Sequence, residues 1–127
     1  MNDDPASVDA PISSAAPAAA PAGTVLLDAR KVLAAAADPV RHGILRELAA
    51  GVPLPVNELA ARLGRWPDLI SKHLRVLRDA RLIMAVASVD GDGRKQFHEV
   101  PALFRTRDAA GVVALDFGAV LLRFIGG

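Results

Sequence analysis

The segment from residue 62 to residue 83 most constrains this chain, because it predicts a helix whose two faces differ in chemistry. Ile70, Leu74 and Leu77 recur at helical spacing and form one apolar stripe. Gly64 ends a shorter apolar-periodic segment just before, so the pattern indicates a helix, a tight turn and a second helix over residues 67–81. The face opposite the stripe is mainly charged or hydrogen-bonding, and it carries Asp68, Leu69, Ser71, Lys72, Arg75 and Arg78. A helix that is apolar behind and cationic in front suits the major groove of DNA.

The residues before this segment predict three further helices. Residues 25–37 have apolar side chains on one side, and Asp38-Pro39 then supplies a favoured N-cap and first helical residue for a helix over residues 39–50. Residues 53–55, Pro-Leu-Pro, predict an extended link, and residues 56–63 predict a short helix that ends at Gly64.

After residue 81 the apolar period changes from helical to strand-like. Residues 82–88 and 96–100 are β-prone, and two Asp-Gly pairs between them indicate a hairpin turn. The predicted fold is therefore mainly α with a β-hairpin wing at residues 88–96, which is a winged helix-turn-helix domain over residues 24–100.

The ends of the chain differ from this domain in composition. Residues 1–23 are rich in Ala and Pro and predict a disordered arm. Asp3 and Asp4 stand where a secretory signal needs cations, and no apolar run approaches the roughly 20 residues of a membrane span. The chain has no cysteine, so disulfides and thiolate metal sites are excluded, and we expect a cytoplasmic protein that does not act at a membrane.

Charge is more informative locally than overall. The formal net charge of the chain is only +1, whereas residues 58–95 contain eight basic and five acidic side chains, a local net charge of +3. This excess is modest for a DNA-binding segment. No catalytic constellation accompanies it, since Ser71, Lys72 and His73 diverge by about 100° per residue around their helix. We therefore expect neither an enzyme nor a bound cofactor.

About half of the chain resembles the ArsR/SmtB-type family of small winged-helix transcription repressors. The matching segments keep the order and spacing of the family, and they are Ala-Asp-Pro-Val-Arg at 37–41, Val-Asn-Glu-Leu-Ala at 56–60, Ile-Ser-Lys-His-Leu-Arg-Val-Leu-Arg-Asp-Ala at 70–80, Leu-Ile at 82–83 and Gly-Arg-Lys at 93–95. The resemblance implies a homodimer that binds double-stranded DNA through paired recognition helices and wings and represses until an effector releases it. The predicted DNA-contacting residues are Pro67, Asp68, Leu69, Ser71, Lys72, His73, Arg75, Arg78, Arg94 and Lys95.

The chain departs from the family where many members sense metals. The start of the third helix lacks the paired cysteines used for arsenic, cadmium or lead, and the region from residue 101 onward lacks histidine. His42, His73 and His98 have no ligand spacing, so we expect ordinary surface or packing histidines and no metal site.

A second departure lies at the start of the predicted recognition helix. Trp66 stands where the family usually has a Ser or Thr N-cap, and Pro67 and Leu69 replace small polar residues. Three interpretations remain open. The helix reads thymine methyl groups, Trp66 simply packs on the domain surface, or the domain is a winged-helix protein-protein interaction module that does not bind DNA.

Residues 101–127 form an apolar C-terminal segment. Val and Phe enrichment and the internal Gly118 favour a strand or hairpin over the terminal helix common in the family. We expect this segment to be buried between subunits of the dimer together with the first helix. The predicted interface residues are Leu26, Leu33, Phe117, Leu121 and Phe124, which have no evident partner within one small domain.

Overall fold

The computed structural model describes residues 27–87 and 95–125. Its helices are α1 (Ala29–Ala36), α2 (Pro39–Leu48), α3 (Val56–Leu63) and α4 (Pro67–Asp79). Its strands are β1 (Leu54–Pro55), β2 (Met84–Val86), β3 (Phe97–Glu99), β4 (Arg105–Arg107), β5 (Val113–Asp116) and β6 (Leu121–Arg123), with a 3-10 turn at Ala102–Phe104. The predicted fold class, mainly α with a hairpin wing, is confirmed.

Aspartate side chains begin the first two helices. The Asp28 carboxylate accepts hydrogen bonds from the Arg30 and Lys31 amides at 2.8 and 3.3 Å. Asp38 accepts from Val40 and Arg41 at 2.8 and 3.1 Å. These caps satisfy amides that have no partner within the helix. The cap at Asp28 corrects the expected start of the first helix from residue 25 to residue 29.

Backbone conformation sets the limits of the helix-turn-helix. Gly64 ends α3 in the left-handed conformation, with φ of 64°. At the other end, α4 stops at Asp79, two residues earlier than expected. Arg81 takes a φ of 67°, and the Leu82 amide donates to the Leu77 carbonyl at 3.0 Å. This bond closes the helix in a Schellman-like turn, which explains the shorter helix.

The wing is a three-stranded antiparallel sheet in the order β1-β3-β2. Ala85 pairs with His98 on one side of β3, and Leu54 pairs with His98 on the other. The extended link predicted at residues 53–55 thus becomes an edge strand of the wing sheet. The predicted tip at residues 88–94 lies outside the described residues.

The C-terminal residues form a second antiparallel sheet in the order β4-β5-β6. The strand or hairpin prediction for residues 111–125 is confirmed, and β4 adds a third strand. This sheet shares one hydrophobic core with the helices. The core side chains with at most 2% exposure include Ile44, Leu45, Leu48, Leu59, Ile70, Leu74, Leu77, Leu115 and Phe117.

The longest helix among residues 27–87 and 95–125 is α4, with 13 residues. Within these ranges no helix has the length and apolar character that crossing a membrane requires.

Candidate nucleic-acid interface

Helix α4 has the two chemically distinct faces that its sequence predicts. Ile70, Leu74 and Leu77 are at most 1% exposed and anchor the helix in the core. On the other side five of the predicted DNA-contacting residues are exposed, namely Pro67, Asp68, Ser71, Lys72 and Arg75. A buried stripe fixes the rotation of the helix about its axis. Packing of the apolar stripe is therefore enough to point the cationic face toward the solvent.

The remaining predicted contact residues are less uniformly placed. Leu69 and Arg78 are half-buried at the sides of the exposed face. Lys95 is exposed immediately before β3. Arg94 and most of the predicted wing lie outside the described residues, so their contacts with DNA stay predictions.

His73 faces the protein more than the solvent. Its side chain is only 15% exposed, and Arg41 donates from Nη1 to His73 Nδ1 at 3.1 Å. This contact requires a neutral imidazole with the proton on Nε2. Nε2 lies 4.0 Å from Asp38 Oδ1. His73 therefore positions α4, and its predicted direct contact with DNA remains untested.

Arg41 connects α4 to the first two helices. Besides its bond to His73, it donates from Nε to the Ala35 carbonyl at 2.6 Å and from Nη2 to the Ala34 carbonyl at 3.4 Å. Those carbonyls belong to the last turn of α1, where helix carbonyls have no partner within the helix. Asp38 caps α2 beside this site, and the hydrogen bond from the Arg41 backbone amide is the main cause that lowers the Asp38 pKa. Sequence reasoning missed the positioning role of Arg41, although its place directly after the Asp-Pro-Val helix start was visible.

A concave surface of about 440 Å³ joins this network to the exposed face. It is lined by Arg41, Ser71, Lys72, His73, Arg75 and Val76. Two exposed cations, Lys72 and Arg75, stand at its edge and have no acidic neighbour among these lining residues. The surface suits a polyanion that passes along the helix.

Trp66 is exposed at the beginning of α4. Its side chain makes no capping hydrogen bond, as the sequence predicted, and it is 82% exposed. The interpretation that Trp66 packs on the domain surface is therefore wrong. The neighbouring depression of about 540 Å³ is lined by Asn57, Ala60, Ala61, Gly64, Arg65, Trp66 and Pro67.

His98 is a core residue of the wing sheet. It is 1% exposed, and its Nδ1 has no hydrogen-bond partner within the described ranges. Burial lowers the pKa of His98, and the positive charge of Arg78 lowers it further, so the ring is neutral. His42 lies with its ring centroid 5.4 Å from that of Phe124. No cluster of three or more His, Cys, Asp or Glu side chains suited to a metal ion occurs in residues 27–87 and 95–125.

The predicted interface residues separate into two groups. Leu33 and Leu121 are 54% and 55% exposed, and Phe124 is half-buried. Phe117 is only 2% exposed and packs against Phe104, with ring centroids 5.0 Å apart. The premise that Phe117 lacks a partner within the chain is wrong, because the 3-10 turn before β4 supplies one. Leu26 lies outside the described residues.

Comparison with known proteins identifies the same region. A family model described as "Helix-turn-helix domain" matches residues 36–86. HlyU from Vibrio cholerae N16961 is 28% identical, with 58% of this chain and 75% of that chain covered and a TM-score of 0.51. NolR from Sinorhizobium fredii is 26% identical, with 58% and 69% covered and a TM-score of 0.51. None of the curated proteins compared with the chain matches it.

The cadmium metal-sensor CMTR from Mycobacterium tuberculosis is 35% identical, with 56% of this chain and 69% of that chain covered and a TM-score of 0.47. The helix-turn-helix match at residues 36–86 covers the first motifs found in the sequence, and the fold agrees with HlyU and NolR. The chain therefore belongs to the ArsR/SmtB-type family of winged helix-turn-helix proteins, which are DNA-binding transcriptional regulators.

Proposed function

We propose that this protein is a sequence-specific transcriptional repressor that binds double-stranded DNA as a homodimer, with α4 as its recognition helix and residues 88–96 as its wing. The observation that carries the proposal is the exposed cationic face of α4 directly opposite its buried stripe. The stripe and the Arg41–His73 contact hold α4 in one orientation. Preorganisation of this kind lowers the cost of ordering the interface on binding.

The side chains of α4 divide by chemistry into two roles. Lys72 and Arg75 neutralise backbone phosphates, which supplies affinity and positions the domain without reading sequence. Pro67, Asp68, Leu69 and Ser71 lie in the first turns, the part of a recognition helix that reaches base edges. Lys95, and Arg94 in the wing, supply further phosphate contacts beside the groove.

Dimerisation completes the site. One recognition helix covers one half-site, whereas two helices related by a two-fold axis read a pseudo-palindromic site with half-sites about 34 Å apart. Leu33 on α1 and Leu121 on β6 are exposed apolar side chains that a second subunit covers in this arrangement. Leu26 and Phe124 extend the same interface.

The signal that releases DNA is not a thiolate-bound metal. CMTR is named as a cadmium sensor, but this chain contains no cysteine in its 127 residues. Thiolate is the ligand type that selects soft metals. We expect zinc, cadmium or arsenite to leave DNA affinity unchanged, measured by fluorescence anisotropy with a labelled duplex.

Selection of duplexes from a random pool, followed by binding at several salt concentrations, tests the proposal. The logarithm of affinity should fall steeply with the logarithm of salt concentration, and Lys72→Ala and Arg75→Ala should each lower that slope by about 1.8, because the homodimer loses one phosphate contact in each of its two subunits. Lys31→Ala is the matched control, because Lys31 is an exposed cation on α1. Salt-independent binding, or equal effects of Lys31→Ala and Lys72→Ala, would contradict the assignment of α4 and favour an interaction module.

A further inference from the structure

Trp66 is the large apolar side chain that protrudes furthest among the described residues, with 82% exposure against 65% for Leu103 and 55% for Leu121. It is also the only tryptophan in the chain. An indole in water gains nothing from the hydrophobic effect, so its exposure leaves a large contact surface free for a partner.

Trp66 also leaves α4 without a stabilising N-cap. Asp28 and Asp38 cap α1 and α2 with two hydrogen bonds each, whereas α3 and α4 begin without a side-chain cap, at Pro55 and Trp66. A Ser, Thr or Asp at residue 66 would satisfy amides of the first turn, and tryptophan does not. The helix that carries the exposed cationic face is thus the one that begins with an aromatic side chain.

The surroundings of Trp66 identify the chemistry of the partner. Arg65 and Pro67 flank it and are exposed, and Lys72 and Arg75 follow along the same helix. These cations favour a polyanion. In the first turn, Asp68 offers a hydrogen-bond acceptor, whereas Trp66, Pro67 and the half-buried Leu69 offer no side-chain hydrogen bond except from the indole N–H. The apolar group that a DNA major groove presents is the C5-methyl of thymine.

We propose that Trp66 is a specificity-determining residue that packs its indole against the C5-methyl group of a thymine in each half-site. The inference rests on the proposed function, because it requires α4 to enter the major groove. In this arrangement Arg65 contacts a backbone phosphate next to that thymine. The residues at the start of α4 then combine one electrostatic contact, from Arg65, with one apolar contact, from Trp66.

Replacement of thymine by deoxyuridine tests the contact, since this change removes only the methyl group. The selected duplex is substituted one thymine position at a time, symmetrically in both half-sites. At one position we expect a loss of about fourfold in affinity per half-site, the effect of exposing one methyl-sized group. Trp66→Ser should bind more weakly and lose this discrimination, while retaining its fold because serine restores an N-cap.

The single tryptophan supplies a second readout. Its emission should resemble that of solvent-exposed indole in the free protein and should shift to shorter wavelength or be quenched on saturation with the selected duplex. Val52→Ser is the matched control, because Val52 is an exposed apolar residue outside α4 and outside the predicted dimer interface, and it should keep the deoxyuridine discrimination.

The outcomes separate this inference from the proposed function. Salt-dependent binding of the selected duplex with no thymine position sensitive to deoxyuridine, or with equal sensitivity in wild type and Trp66→Ser, overturns the role of Trp66 alone. Unchanged tryptophan emission at saturating duplex also overturns it. Absence of duplex binding overturns both.

Discussion

The helical region that ends with the wing and the C-terminal sheet encode their structures in different ways. In the helical region, neighbouring residues determine where helices begin and end, such as Asp38-Pro39 at the start of α2 and Gly64 at the end of α3. In the C-terminal sheet, the β5–β6 hairpin is also local, with Asp116 paired to Leu121, whereas β4 joins it through pairs ten residues apart such as Arg105 with Leu115. The match to the helix-turn-helix family model also ends at residue 86. The difference teaches that helices and a tight hairpin can be predicted from local sequence, whereas the strand β4 that completes the added sheet cannot.

The two regions nevertheless share one core. Leu115 and Phe117 of the sheet belong to the same buried cluster as Leu74 and Leu77 of α4. We therefore expect Leu77→Ala and Leu115→Ala each to lower the free energy of unfolding by about 2–5 kcal/mol through loss of burial and a residual cavity. Urea denaturation followed by circular dichroism measures both. A separate early transition for Leu115→Ala contradicts the shared core and makes the sheet an independent unit.

Substitutions at the exposed Leu33 and Leu121 test whether the C-terminal sheet takes part in a dimer interface. Leu33→Glu and Leu121→Glu should weaken the dimer by at least about tenfold, because a carboxylate in an apolar interface costs more than about 1.4 kcal/mol. Val52→Glu, at a similarly exposed position outside both α1 and residues 101–127, is the control in light scattering over a concentration series. Deletion of residues 111–127 is a poorer test, because it removes Leu115 from the core. Equal effects of all three variants contradict the interface.

Positive φ angles at two glycines predict a smaller effect. Gly51 and Gly64 have φ of +96° and +64°, so alanine at either position strains the backbone and should cost about 1–2 kcal/mol of unfolding free energy. A Cβ at Gly51 would meet Nη1 of Arg105 on β4, but that atom is the end of a flexible side chain that can move aside, so we expect equal losses in the two variants. A larger loss for Gly51→Ala in thermal unfolding would contradict this expectation and show that the Arg105 side chain is held in place against Gly51.

The buried histidine of the wing predicts a pH dependence. Because burial lowers the pKa of His98 below its ordinary value near 6.5, the unfolded state binds more protons than the folded state in mildly acidic solution. Above the ordinary pKa near 6.5 the ring is neutral in both states, and burial of His98 then carries no protonation penalty. As the pH falls from 6.5 toward the lowered pKa of the folded protein, the unfolded state gains a proton first and the free energy of unfolding decreases. His98→Gln should reduce the drop in melting temperature between pH 7.5 and 5.5. An unchanged drop in His98→Gln excludes His98 as the cause.

The sequence predicted most of the helix-turn-helix because helix periodicity and capping act over a few residues. The stripe of Ile70, Leu74 and Leu77 and the missing cap at Trp66 were both correct. The pairing of Leu54 with His98 was not foreseen, since it joins residues 44 positions apart along the chain. The partner of Phe117 was missed for the same reason, because Phe104 reaches it only once β4 and β5 have paired.

Hydroxyl-radical footprinting of the protein on a selected duplex is the most direct test of the central claim. That claim is that the helical region binds DNA while the C-terminal region joins the two subunits. The account predicts two protected patches on the same face of the duplex, about 34 Å apart, one for each recognition helix. Both patches should weaken together in Leu121→Glu. A single protected patch that Leu121→Glu leaves unchanged would contradict the paired recognition helices on which the account depends.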